Sequence, residues 1–226
     1  MYNDCHKKWV DLNPGYQVAW FSDKQCDNIV KCFSYKVYNA YCKLKPGAFK
    51  ADLWRLCILY KHGGTYVDAY ATPYKSIKYV IDSTNLKSEN KFISTLDCKQ
   101  AGSGIHNGFI ITTPNHPFIL QCINDIVHNV ETKNYTDHIL GVTGPICLSR
   151  AIKKVTKSTK KLKKGVNFHG NLRFYLLHLE WGPFQYICDN NTIIMSKKYN
   201  TFHYFYTKNV HKSIGYADMW KKGNVY

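Results

Sequence analysis

Acidic residues are scarce in this chain: 15 Asp and Glu stand against 31 Lys and Arg, a formal net charge of +16 in 226 residues. That imbalance excludes an acidic, solvating disordered chain and points to an anionic partner or a role in solubility. Nucleic acid, an acidic membrane, an acidic glycan and a nucleoside diphosphate would each satisfy it. Long apolar runs are missing too. No stretch reaches the ~18 residues of a membrane span, and the start MYNDCHKKW has no signal-peptide core, so a soluble, cytoplasmic chain is the expectation. The 9 cysteines contain no CxxC pair, which argues against a zinc ribbon. Their odd number, with Cys57 and Cys122 in apolar helical contexts, suits free thiols in a reducing compartment. There is no internal repeat and no low-complexity linker, which excludes solenoids and strings of modules. The length suits one core, and a single domain over 1–226 is expected.

What is present is a folded composition, 45% hydrophobic and 15% aromatic with 18 Tyr. The lysine-rich KKVTKSTKKLKK, Lys153 to Lys164, has no interleaved aromatics. It reads as a solvated helix end and loop rather than a nucleic-acid groove, so nucleic acid is an unlikely partner.

The most informative stretch runs from Ala48 to Pro73, AFKADLWRLCILYKHGGTYVDAYATP. Pro46 suits a helix start, apolar residues fill Leu53 to Tyr60, and Gly63-Gly64 supplies left-handed residues that stop a helix. Thr65, Tyr66 and Val67 form strands well, which puts Asp68 at a strand's carboxyl end, where open α/β sheets hold ligands. Asp52 and Arg55, three apart, share one helix face. Taken alone, these residues also suit a routine helix and strand with an intrahelical ion pair.

Around this stretch the sequence predicts a helix, a turn at Asn13-Pro14-Gly15, a strand at Tyr16 to Phe21 and a helix beginning near Asp23. KFISTL, Lys91 to Leu96, reads as a strand and Gln100 to Gly104 as a flexible turn. His106-Asn107-Gly108 leads into the buried strand FIITT, with Asn107 also readable as a turn residue before Gly108. Pro114 to Pro117 starts a helix running through Val130, and Pro145 starts another whose amino end offers free N–H groups to an anion. Phe168 to Ile194 is hard to phase, with Glu180 to Pro183 as a loop.

These motifs together resemble the DXD-containing sugar-binding glycosyltransferases of the capsular polysaccharide type, glycosyltransferase family 32. The family pattern is matched by Ala48, Ala51-Asp52-Leu53, Arg55, Leu59-Tyr60, Gly63-Gly64, Tyr66 and Asp68. Asn107, Pro114-Asn115-His116-Pro117 and Thr143-Gly144-Pro145 match further on, and the tail with His203, or its rival His211, and Trp220 matches loosely. One position departs: the second Asp of the DXD is Tyr70. The family's early apolar strand, which helps hold the nucleotide, has no counterpart.

The resemblance implies an α/β GT-A type Rossmann-like fold, a mixed central sheet flanked by helices and lacking that first strand. It implies transfer of a hexose from a UDP- or GDP-sugar to a glycan, protein or lipid acceptor, with retention of configuration. In it Asp52, Arg55 and Asp68 are catalytic, Tyr66, Tyr70, Asn107 and Trp220 bind substrate, and Mn²⁺ or Mg²⁺ is held by Asp68 with His203 or His211. A neutral phenol at Tyr70 weakens that metal grip. Arg55→Ala is expected to abolish transfer and leave the fold largely intact. The competing reading is a catalytically silent binding or scaffold protein on the same fold, and the charge leaves an anionic surface as a further partner.

Overall fold

The computed structural model describes residues 2–86, 89–97, 104–169, 172–181, 184–198 and 215–226. The amino-terminal part is helical: α1 (Tyr2–Leu12), α2 (Asp23–Lys31), α3 (Tyr35–Lys43) and α4 (Gly47–His62). Ser22 begins α2 with a capping box, its hydroxyl accepting from the Gln25 N–H while the Gln25 side chain accepts from the Ser22 N–H. Pro46 is the residue before α4 rather than a member of its first turn. Gly63 ends α4 with φ +66°; a Cβ there would lie 2.7 Å from Pro114, so both conformation and close approach require glycine.

The chain then enters β1 (Gly64–Val67) and β2 (Ala71–Pro73), followed by α5 (Ile77–Ser83), β3 (Phe92–Asp97) and β4 (Gly104–Thr112). Next come α6 (Pro117–Glu131), a 3-10 turn (Ile139–Gly141) and α7 (Pro145–Thr156). Strands β5 (Gly165–His169), β6 (Leu172–Trp181), β7 (Phe184–Asp189) and β8 (Thr192–Lys198) lead to a final short helix, α8 (Tyr216–Lys221). The stretch that could not be phased from its near-continuous apolar and aromatic residues is therefore all strand where it is described. Glu180 and Trp181 belong to β6 instead of a loop, and residues 182–183 lie outside the described residues.

The sheet is mixed. Its order is β1-β4-β3-β6-β7-β8-β2, with β5 also on β6. β3 and β6 are parallel, while every other described pairing is antiparallel. Side chains alternate across it. Phe92, Leu96, Phe174 and Leu176 face the larger core under α2, α3, α4, α6 and α7. Ile93, Tyr175, Leu177 and Leu179 face a smaller one with Trp9, Ile77 and Val80 from α1 and α5. This is the expected α/β arrangement, a mixed sheet flanked by helices, consistent with a GT-A-like Rossmann-type fold. Among the described residues no strand precedes Gly64, and no helix is long and apolar enough to cross a membrane.

One expectation fails and another shifts its bounds. Tyr16 to Phe21 is not a strand: Tyr16, Val18 and Trp20 favour an extended chain, but among the described residues no ladder partner pairs with it, and it lines a cavity instead. His106-Asn107-Gly108, read as leading into a strand with a turn at Asn107 as the other reading, already belongs to β4. The pairing shifts there: the two steps from Ile93 to Thr95 are matched by the five from Ile111 to His106, so β4 bulges between His106 and Ile111. The buried Ser94 hydroxyl stitches this bulge by donating to the His106 and Phe109 carbonyls at 3.1 and 3.0 Å.

Candidate functional site

Asp68 leaves the carboxyl end of β1, its N–H bonded to the Gly108 carbonyl at 3.0 Å. The Gly63-Gly64 reversal lays α4 beside that strand, and the β4 bulge turns Asn107 towards both. Arg55 joins the three. One Nη lies 3.1 Å from Asp52; the other donates to the Asn107 carbonyl at 2.8 Å and to Asp68 Oδ1 at 3.4 Å. Its Nε donates to the Ala51 carbonyl, and the guanidinium sits 4.5 Å over the Tyr66 ring.

Each carboxylate has further donors. Asp52 accepts from the Thr143 hydroxyl at 2.7 Å and from the Asn107 amide at 2.8 Å. Asp68 accepts from the Tyr66 hydroxyl at 3.1 Å on Oδ1 and from the Lys197 ammonium at 2.5 Å on Oδ2. Lys197 reaches it because β8 pairs with β2, which sets Lys197 opposite Ala71, three residues past Asp68. Gly108 is fixed by the same crowding: a Cβ there would lie 2.5 Å from Asp68 Oδ2 and 2.6 Å from the His106 ring.

The electrostatics follow from these partners. Burial pushes the Asp52 carboxyl up, and Arg55 and Thr143 offset only part of that. Burial acts on Asp68 in the same sense, but Arg55 and Lys197 outweigh it and hold the carboxyl well below the usual range. Burial pushes the Tyr66 phenol up and brings the His106 imidazole down to about 4, so His106 is neutral near pH 7.

Of the site residues, Tyr66 and Asp68 line a cavity of about 420 Å³ between the 16–21 segment and β1, within the usual size of a small-molecule pocket. Trp9, Trp20, Phe21, Trp54 and Tyr66 supply its aromatic wall, and Asp68 and Ala69 its charged end. Two residues of that wall, His6 and Trp54, carry buried ring nitrogens without a hydrogen-bond partner among the described residues.

The structure thus brings Asp52, Arg55, Tyr66, Asp68 and Asn107 together. Tyr70 sits half-buried in the turn closed by the Ala71 N–H on the Asp68 carbonyl. Trp220 packs against the helical core, its indole donating to the Tyr135 carbonyl at 2.8 Å. His203 and His211 lie outside the described residues. Sequence reasoning missed the direct role of Thr143, visible only as part of a helix-starting motif. It also missed Lys197, for which no local signal exists.

Among the described residues, the Asp68 donor set does not suit a divalent ion. The motif offers one carboxylate where a hard cation takes oxygen ligands at ~2.0–2.6 Å. Both oxygens of that carboxylate are already engaged, one by an ammonium, and an ammonium repels a second cation at contact distance. Among the described residues another set of ligand-type side chains converges elsewhere. His178, Glu180 and Cys188, on β6 and β7, bring ligand atoms within 4.8 Å of one another.

The site therefore combines a carboxyl-end Asp, a buried Arg shared between two carboxylates and an aromatic cavity on an α/β sheet. Residues 2–93, under half of the chain, match the family model described as "Glycosyltransferase sugar-binding region containing DXD motif". Over these residues the chain is similar to the sugar-binding glycosyltransferases with a DXD-like motif. Among curated proteins, the chain is 30% identical over 122 residues to the Initiation-specific alpha-1,6-mannosyltransferase of Candida albicans, covering 51% of this chain and 28% of that protein. It is 24% identical over 173 residues to Mannosyl phosphorylinositol ceramide synthase CSH1 of Saccharomyces cerevisiae, covering 72% and 43%. To the Homo sapiens Alpha-1,4-N-acetylglucosaminyltransferase it is 26% identical over 119 residues, covering 53% and 29%. The chain therefore spans less than half the length of each of these relatives. The solved PaToxG Glycosyltransferase aligns with a TM-score of 0.48 and 17% identity over 68% of this chain and 62% of that one.

Proposed function

We propose that the chain, acting as one domain over 1–226, transfers a hexose from a UDP- or GDP-sugar to a glycan, protein or lipid acceptor with retention of configuration. The observation that supports this most is Arg55 held between Asp52 and Asp68 at the end of β1, beside an aromatic cavity of nucleotide size. In this reading the cavity wall takes the base and ribose, with Trp20, Trp54 and Tyr66 available for stacking. The Asp68 end takes the diphosphate and sugar. Asp52, Arg55 and Asn107 orient the sugar, whose hydroxyls suit charge-assisted hydrogen bonds. The names of the relatives carry mannosyl and N-acetylglucosaminyl groups, which supports a hexose donor, and one of them names a ceramide, which supports a lipid among the acceptors.

A second reading is a catalytically silent sugar-nucleotide binder, favoured by Tyr70 at the second DXD position. Calorimetric titration with UDP- and GDP-sugars, followed by NMR detection of donor turnover, tests both. Binding with turnover supports transfer, binding without turnover supports the silent reading, and no binding contradicts both.

A further inference from the structure

The Asp68 environment keeps a charge balance that the motif change would otherwise upset. Two carboxylates around a divalent ion sum to zero. With Tyr70 in place of the second Asp, one carboxylate remains, and a single ammonium restores the same zero. Lys197 supplies that ammonium at 2.5 Å from Asp68 Oδ2. Its backbone is fixed by the β2–β8 ladder opposite the fully buried Ala71, whose carbonyl also accepts from the Trp9 indole at 2.9 Å. The side chain keeps 29% exposure, and an ammonium has three donors, of which Asp68 takes one.

We propose that Lys197 occupies the role of the divalent cation, so that this site binds the nucleoside diphosphate and stabilises its departure without metal. The proposal rests on the transferase reading and names how its donor is held. In the step, the bond from the anomeric carbon to the diphosphate oxygen breaks with its electron pair on that oxygen. The acceptor oxygen bonds to the anomeric carbon, and the acceptor proton passes to the departing diphosphate. Lys197 donates to the oxygen that gains charge, with Arg55 behind Asp68 fixing the carboxylate that aims it.

The test is calorimetric titration of UDP and of GDP into the full chain, in EDTA and again with Mn²⁺, for the wild type, Lys197→Met and Lys197→Arg. The expected result is binding of at least one nucleotide in EDTA, unchanged by Mn²⁺. Lys197→Met should bind about 30-fold more weakly, and Lys197→Arg, which keeps the charge, should retain most of the affinity. Melting curves for both variants establish that they are folded; should Lys197→Met fail to fold, Lys197→Arg and the EDTA comparison decide. Binding only with Mn²⁺, or metal-free binding indifferent to Lys197→Met, overturns this proposal and leaves the transferase reading standing. No binding in any condition overturns the transferase reading and this proposal with it. A donor-free arm separates the two further. Mn²⁺ alone, followed by electron paramagnetic resonance, should find no Asp68-dependent site in the wild type and gain one in the Lys197→Ala, Tyr70→Asp double variant. Mn²⁺ binding by the wild type that Asp68→Asn removes would overturn the proposal.

Discussion

Two carboxylates meet the Arg55 guanidinium, and their surroundings differ. Asp52, on the same helix as Arg55, is otherwise held by neutral donors, the Thr143 hydroxyl and the Asn107 amide. Asp68, at the tip of β1, has a second full cation in Lys197. One shared guanidinium does not compensate the burial of Asp52, whereas two cations more than compensate that of Asp68. The difference sets the two acids apart: Asp52 ties α4 to the β4 bulge and to the residues before α7, whereas Asp68 gathers two cations at the end of the cavity.

The largest effect is expected from Arg55→Ala, because it strips the shared cation from both carboxylates at once. Arg55 is 7% exposed, so the sequence-based expectation of an intact fold gives way to a loss of about 3–5 kcal/mol. Urea unfolding measures it, and a loss below that of Asp68→Asn would break the idea of a shared partner.

Next in size is the response to acid. The His116 imidazole accepts from the Phe118 N–H to begin α6, and burial brings it down to about 4 from an ordinary 6.5. Below pH ~6.5 the unfolded chain takes up a proton that the folded chain refuses. Stability is therefore full above that pH and falls as pH drops towards about 4, by on the order of 3 kcal/mol for this residue. His106, also brought down to about 4, adds to the same window. The two acids act in opposite senses. Asp68, held low, stabilises above the ordinary carboxylate pKa and loses that contribution only as pH falls through its folded value. Asp52, pushed up, stabilises at low pH and loses its contribution as pH rises through its folded value. A stability profile for His116→Gln that keeps the full loss between pH 6.5 and 4 would contradict the histidine assignment.

Asp68→Asn is expected to cost about 2 kcal/mol, since it leaves Lys197 and Arg55 facing a neutral amide. Asp52→Asn should cost less, because the buried site already disfavours its charge. Equal costs in parallel unfolding curves would erase the contrast between the two acids. The smallest effect is expected from Thr143→Val, which removes the 2.7 Å bond to Asp52 at about 1 kcal/mol. Its destabilisation should shrink in an Asp52→Asn background, which a double-mutant cycle reads directly.

Legibility in the sequence tracked how local each signal was. The α4–glycine–β1 unit could be read because the helix run, the Gly63 stop and the strand formers are contiguous, and the Asp52 and Arg55 pair needed only helical spacing. Asn107 could be placed through its motif but not its conformation, since a strand bulge and an Asn-Gly turn look alike until the opposing register is known. Lys197 was invisible because only the β2–β8 ladder, formed between segments more than a hundred residues apart, brings it to Asp68. The Tyr16 to Phe21 segment had strand chemistry without a strand's partner among the described residues, and no single segment reveals whether its ladder exists.

A structure of the protein with a bound nucleoside diphosphate tests the account most directly. The base is expected against the Trp20, Trp54 and Tyr66 wall and a terminal phosphate oxygen within hydrogen-bond distance of Lys197, with Asp68 still between Lys197 and Arg55. A diphosphate bound away from Lys197 and Asp68 would contradict it.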